Sequence, residues 1–167
     1  MLAIVGVDNG GDAGHNCAVD RSGQVGSLLK PVIHLAALET GQYSPATMIN
    51  DAPVSLQQSD GTLWQPQNYD RKSHGKVPMY EALAMSYNQA NVRLGMQVGV
   101  DKVLQQLRRM GVEQPIPAYP SVLLGAVEMS PLQVNQVYQT IAGNGFYTPL
   151  SLVRQVTEAN GQLLSHF

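Results

Sequence analysis

A single cysteine, Cys17, stands in 167 residues, so no disulfide can close within the chain and no cysteine-rich zinc site can be built. Charge is also scarce. Ten Lys and Arg face twelve Asp and Glu, 13% of the residues together, for a formal net charge of −2. No basic run is denser than Arg108-Arg109, and with a pI near 6.0 the chain lacks the electrostatic footprint that nucleic-acid binding requires. Nucleic acid is therefore excluded as a partner. Long apolar runs are missing too: the longest, such as Leu2 to Val7, fall far short of the ~20 residues that span a bilayer. No basic segment followed by a signal-length apolar stretch opens the sequence, so these residues carry no address of their own. The four histidines, His15, His34, His74 and His166, show neither His-x-x-x-His spacing nor an acidic companion. A metal site is not expected, nor is any other cofactor.

What is present is a globular composition, 44% hydrophobic, at a length that suits one domain with a real core. Met1 to Val7 reads as a buried strand. Asp8 to Gly14 reads as a glycine-rich loop without the Gly-Lys-Ser/Thr of a phosphate loop. A helical pattern runs from Ser27 through Leu38 and closes at Gly41, with Pro31 in its first turn. Val54 to Gln65 alternates around Asp60-Gly61, a hairpin signal. Pro78 opens a helix to about Ser86. Asn88 to Gly99 and Asp101 to Met110 read as two more, the second with Asp101 as N-cap and Gly111 past its end. Ser130-Pro131 starts a helix to about Ala142, and Leu152 to Glu158 and Gln162 to Phe167 are strands joined at Asn160-Gly161. The class is α+β, with helices in the middle and strands at both ends.

Two polar constellations stand out on this frame. In Gly26-Ser27-Leu28-Leu29-Lys30-Pro31 a serine and a lysine sit three residues apart, on one face of a helix and at its N-terminus. A serine hydroxyl is a weak nucleophile until a base takes its proton, and a lysine whose pKa is lowered by burial can be that base. Most Ser-x-x-Lys pairs are solvated helix residues, so the pair alone decides nothing. Ser86-Tyr87-Asn88 lies at the junction of two helices. A break there can aim a hydroxyl and a carboxamide into a cleft, or it can be a C-cap followed by an N-cap. Val25-Gly26-Ser27 does not make a Gly-x-Ser-x-Gly elbow. His34, among apolar helix positions, suits a satisfied core residue better than a ligand.

Read in order, the segments GSLLKP, DAPVSL, WQPQNYDR, EALAMSYNQANVRLGM, LLGAVEMSPLQVNQVYQTIAGNG and SLVRQVTEANGQLL resemble the transpeptidase domain of the class A, bifunctional penicillin-binding proteins. The branch typified by penicillin-binding protein 1b is the nearest. The match runs from near Asn16 to the last residue. It implies a partial penicillin-binding protein/serine β-lactamase-like fold, with residues 1–167 as one transpeptidase domain truncated at both ends. It also implies acyl transfer: Ser27 attacks the penultimate D-Ala of a peptidoglycan stem peptide, Lys30 takes the Ser27 proton, Ser86 relays a proton to the leaving amine, and Asn88 orients Lys30 and the substrate. Gly26, Tyr87, Gln67 and Asn68 would line the substrate site. The implied partners are stem peptides, β-lactam antibiotics that acylate Ser27, and cell-wall synthesis proteins. The implied location is the periplasmic face of the bacterial inner membrane, in a parent that carries the anchor.

The sequence departs from that family at one motif. Lys30, Lys72, Lys76 and Lys102 are each followed by neither Thr-Gly nor Ser-Gly, so the third motif, Lys-Thr/Ser-Gly, is absent. In relatives it lies on a strand C-terminal to where Phe167 falls, which makes a missing strand the expectation rather than a mutated one. Cys17 and Gly23 stand where relatives usually carry basic residues, which lowers the positive charge near Ser27. The alternative on these residues is a non-catalytic scaffold or binding module of the cell-wall machinery. A soluble penicilloyl-serine hydrolase fits less well, because the match extends beyond the motifs.

Overall fold

Apolar side chains at helical spacing gather three helices around one core. The computed structural model describes residues 17–58, 61–151, 155–159 and 161–166; the strand expected at 1–7, the loop at 8–14 and the turn residues Asp60 and Asn160 lie outside them. The elements begin with α1 (Cys17–Asp20), β1 (Gly23–Gln24), a 3₁₀ turn (Gly26–Leu29) and α2 (Lys30–Glu39). Next come β2 (Met48–Asn50), β3 (Leu56–Gln57), β4 (Leu63–Trp64), β5 (Lys76–Pro78), α3 (Met79–Ala84), α4 (Asn88–Val98) and α5 (Val100–Arg109). A second 3₁₀ turn (Pro120–Leu124), β6 (Glu128–Met129), α6 (Pro131–Ala142), β7 (Gln155–Thr157) and β8 (Leu163–His166) complete the described chain.

Val32, Ile33, Ala36 and Ala37 of α2 pack with Ala90, Leu94 and Val98 of α4 and Val103, Leu104 and Leu107 of α5, all buried. Each large member, such as Ile33 or Leu107, is worth about 1.5–3 kcal/mol relative to exposure. The strands form four antiparallel pairs, β1 with β6, β2 with β5, β3 with β4 and β7 with β8, and no sheet among the described residues is wider than two strands. Nor is any described helix long and apolar enough to cross a membrane.

The expected α+β class holds, and so does the hairpin around residue 60, with Leu56 opposite Trp64 and Gln57 opposite Leu63. Three details differ. Ser27 sits in the 3₁₀ turn that precedes α2, and the α-helix itself begins at Lys30. Gly99, at φ 103°, closes α4 and caps α5, so Asp101 lies inside the first turn, where its charge still suits the helix dipole. The pairings of β1 with β6 and of β2 with β5 join short segments remote in sequence, and no local pattern announces them.

Candidate active site

The turn bearing Ser27 is tied down through its backbone. Val25 N–H donates to Val127 O at 3.0 Å and Gly26 N–H to Gly125 O at 3.1 Å. Gly26 has φ +56° and Gly125 φ +74°, and a Cβ on Gly125 would fall on the Gly26 backbone. From α6, the Tyr138 hydroxyl donates to Leu28 O at 3.1 Å. Ser27 is exposed at the crest of this turn, while Leu29 and Lys30 are buried beneath it. Side chains three apart eclipse in a 3₁₀ turn, so Ser27 stands over Lys30.

Lys30 is 1% exposed. Its Nζ donates to Ser86 O at 2.7 Å, Ser86 Oγ at 2.8 Å and Asn88 Oδ1 at 2.6 Å, which uses all three of its N–H groups. None of these acceptors is a carboxylate. Burial without a counter-charge therefore lowers the Lys30 pKa from 10.5 to about 8. At pH 7 about one lysine in ten is then neutral, against about one in three thousand at the ordinary value. Ser86 Oγ in turn donates to Ser27 Oγ at 3.2 Å. The expected direct pairing of Lys30 with Ser27 is thus replaced by a path through Ser86.

Ser86 itself has φ +57°, a left-handed conformation that costs a non-glycine residue about 1–2 kcal/mol. The corner is held by its neighbours: Ser86 N–H reaches Leu83 O and Tyr87 N–H reaches Ala82 O, both at 3.0 Å. Asn91 Nδ2 donates to Ala82 O at 2.9 Å and Tyr87 O at 2.6 Å, while its Oδ1 meets His34 Nε2 at 2.7 Å. His34 is therefore a satisfied core histidine, 4% exposed; burial lowers its pKa against the opposing effect of the Asn91 bond. Asn88, the first residue of α4, donates from Nδ2 to Gln67 O at 2.8 Å.

The structure brings Ser27, Lys30, Ser86 and Asn88 together, with Gln67 joining through its carbonyl. The other three expected site residues serve the frame. Asn68 is buried, with Nδ2 on Asp51 Oδ2 at 2.6 Å and Lys72 O at 2.8 Å and Oδ1 on Gln89 N–H at 3.1 Å. Its amide is spent on α4 and the 70s loop, which corrects its expected place in the substrate site. The Gly26 N–H is committed to Gly125, and the Tyr87 ring stacks on His74 with centroids 4.0 Å apart and an interplanar angle of 13°.

That histidine belongs to a network the sequence reading missed. Asp51, 0% exposed, accepts Ala90 N–H at Oδ1 (2.9 Å), and at Oδ2 it accepts His74 N–H (3.1 Å) and meets His74 Nδ1 (2.7 Å). His74 Nε2 meets Asp70 Oδ2 at 3.0 Å. The Asp51 bond, and then the Asp70 charge, raise the His74 pKa against partial desolvation. The expectation that no histidine has an acidic companion is overturned here. The i,i+4 spacing of Asp70 and His74 was the available signal; nothing local points to Asp51.

Comparison with known proteins adds an independent line. The family described as the penicillin binding protein transpeptidase domain matches residues 2–166. Penicillin-binding protein 1B of Vibrio cholerae serotype O1 is 43% identical over 166 residues, 98% of this chain and 21% of that protein. The crystal structure of penicillin-binding protein 1A from Haemophilus influenzae is similar with a TM-score of 0.83 at 27% identity, over 91% of this chain and 23% of that one. The PonA1 protein of Mycobacterium tuberculosis in complex with penicillin V is similar with a TM-score of 0.79 at 25% identity, over 92% of this chain and 43% of that one. The chain spans about a fifth of the length of the curated relatives it matches.

Proposed function

Because the chain belongs to the penicillin-binding protein transpeptidase family, we propose that it carries the acylating serine of a peptidoglycan D,D-transpeptidase, which cross-links bacterial cell-wall stem peptides. The observation that carries this reading is the path from Ser27 Oγ through Ser86 Oγ to a buried, uncompensated Lys30 held by Asn88.

Ser27 Oγ attacks the carbonyl carbon of the penultimate D-Ala in a D-Ala-D-Ala terminus. As that bond forms, its proton passes to Ser86 Oγ while Ser86 gives its own to the neutral Lys30 amine. The C–N bond to the last D-Ala then breaks, and its nitrogen takes a proton back along the same pair. An amine of a neighbouring stem peptide, or water, next attacks the Ser27 ester and frees the serine. Ser27 also lies in an opening turn, where N–H groups lack helical partners, so its amide suits the developing oxyanion. One such donor is typically worth about 10²–10³ in rate. In a β-lactam the cleaved C–N bond lies in a ring, the leaving nitrogen stays tethered, and the acyl-enzyme persists.

In this reading residues 1–167 are one part of the transpeptidase domain. The Lys-Thr/Ser-Gly motif that these residues lack, the periplasmic location and contacts with cell-wall synthesis proteins belong to the longer protein. The test uses a version extended through a Lys-Thr/Ser-Gly strand and a fluorescent penicillin. One covalent label is expected, mapping to Ser27 and lost in Ser27→Ala. A folded extended protein that takes no label removes the transpeptidase reading and leaves the non-catalytic scaffold.

A further inference from the structure

We propose that His74 is a positioning residue for the Lys30 site: clamped between Asp51 and Asp70 and stacked on Tyr87, it fixes the corner from which Ser86 and Asn88 reach Lys30. The inference rests on the roles proposed above for Ser27, Lys30, Ser86 and Asn88.

Two contacts place His74 on both sides of Asn88. Its ring lies face to face with Tyr87, the residue before. Through Asp51 its Nδ1 is linked to the N–H of Ala90, two residues after. Asn68 adds a parallel strut, from Asp51 to Gln89 N–H. Such bracing has a purpose, because Ser86 is held in a conformation that serine does not choose for itself. A relaxed corner would swing Ser86 Oγ and Asn88 Oδ1 away from Lys30 and admit water to a lysine now 1% exposed. Both ring nitrogens face carboxylate oxygens, so the imidazolium satisfies Asp51 and Asp70 together, whereas a neutral ring donates to only one. The charged and titratable groups facing this ring are Asp51, Asp70 and Tyr87, with Lys72 acting on Asp70 and Glu81 on Tyr87.

Two variants dissect the clamp in the extended protein. His74→Asn keeps a donor near the Nδ1 position but loses the stack and the Asp70 arm; His74→Phe keeps the stack and loses both donors. Each is expected to slow acylation by fluorescent penicillin about 10–100-fold, the usual effect of a misplaced catalytic group. Each should also move the Lys30 side-chain titration, followed by NMR, upward from about 8 as water enters. Asp70→Asn, on the exposed arm, should change the rate less than about threefold. A lower melting temperature with the Lys30 titration and the acylation rate unmoved in both variants would mean a merely structural role and overturn the proposal. If His74→Phe fails to fold, His74→Asn decides by the same readouts. If the wild-type extended protein takes no penicillin, the transpeptidase reading falls and the Lys30 titration alone decides the role of His74.

Discussion

The turn carrying Ser27 and the corner carrying Ser86 and Asn88 meet at Lys30 but are secured by different chemistry. The first is fixed by backbone bonds from Val25 and Gly26 to the 125–127 segment and by one tyrosine hydroxyl. The second is fixed by side chains: a fully buried carboxylate, a histidine, two asparagines and a stacked tyrosine, all supporting a serine at φ +57°. Backbone bonds do not titrate. The first wall should therefore be indifferent to pH, and the second should answer to it.

The largest expected effect lies where the walls meet. Lys30→Met in the extended protein should cut penicillin acylation by about 10³-fold or more, yet raise stability at pH 7 by about 1–3 kcal/mol in urea denaturation, since an uncompensated buried cation is removed. The sign follows from a folded pKa near 8 below an unfolded 10.5. The unfolded state binds more protons between those values, so wild-type stability climbs from pH 8 to pH 10.5 and the variant loses the climb.

Matched cuts in the two walls come next. Asp51→Ala strands Ala90 N–H, Asn68 and His74 and should cost about 2–4 kcal/mol. Tyr138→Phe removes a single bond to Leu28 O and should cost about 0.5–1.5 kcal/mol. Equal costs by denaturation would erase the contrast between the walls. Ser86→Gly separates strain from chemistry: glycine accepts φ +57°, so stability should stay within about 1 kcal/mol of wild type, while penicillin acylation falls about 100-fold for want of the relay hydroxyl.

The smallest effects are two opposing pH slopes. His34, lowered from 6.5 by burial, stays neutral in the fold, so stability should decline as pH drops below 6.5; His34→Gln should flatten that arm. His74, raised from 6.5 by Asp51, contributes fully below 6.5 and loses its contribution as pH rises through its folded pKa. His74→Asn should flatten that second arm. Parallel slopes in urea midpoints measured from pH 5 to 9 would contradict the assignment.

The two walls also differ in how far they could be read from sequence. Ser27 and Lys30 are near neighbours on an apolar helix pattern, and Ser130 announces α6 through a capping box completed by Gln133, with bonds of 2.8 and 3.3 Å. Such signals are local. The Ser86 corner depends on a left-handed serine that propensity argues against and on Asp51 meeting His74 across 23 residues. Asn68 fell in a motif-bearing segment, and nothing in the chain distinguished a residue facing substrate from one buried against a helix terminus. Composition and motif order pointed to the class and to the four residues that meet; the path through Ser86 and the bracing behind it required the tertiary arrangement.

Position 125 sets how far the turn presenting Ser27 can vary. Every missense change there adds at least a methyl group, and that first carbon lands on the Gly26 backbone. The turn presenting Ser27 is thus closed to single-residue remodelling from behind, because any side chain at 125 must displace the Gly26 backbone. Gradual change around Lys30 is left to the side-chain-built wall, where single substitutions can shift geometry by degrees.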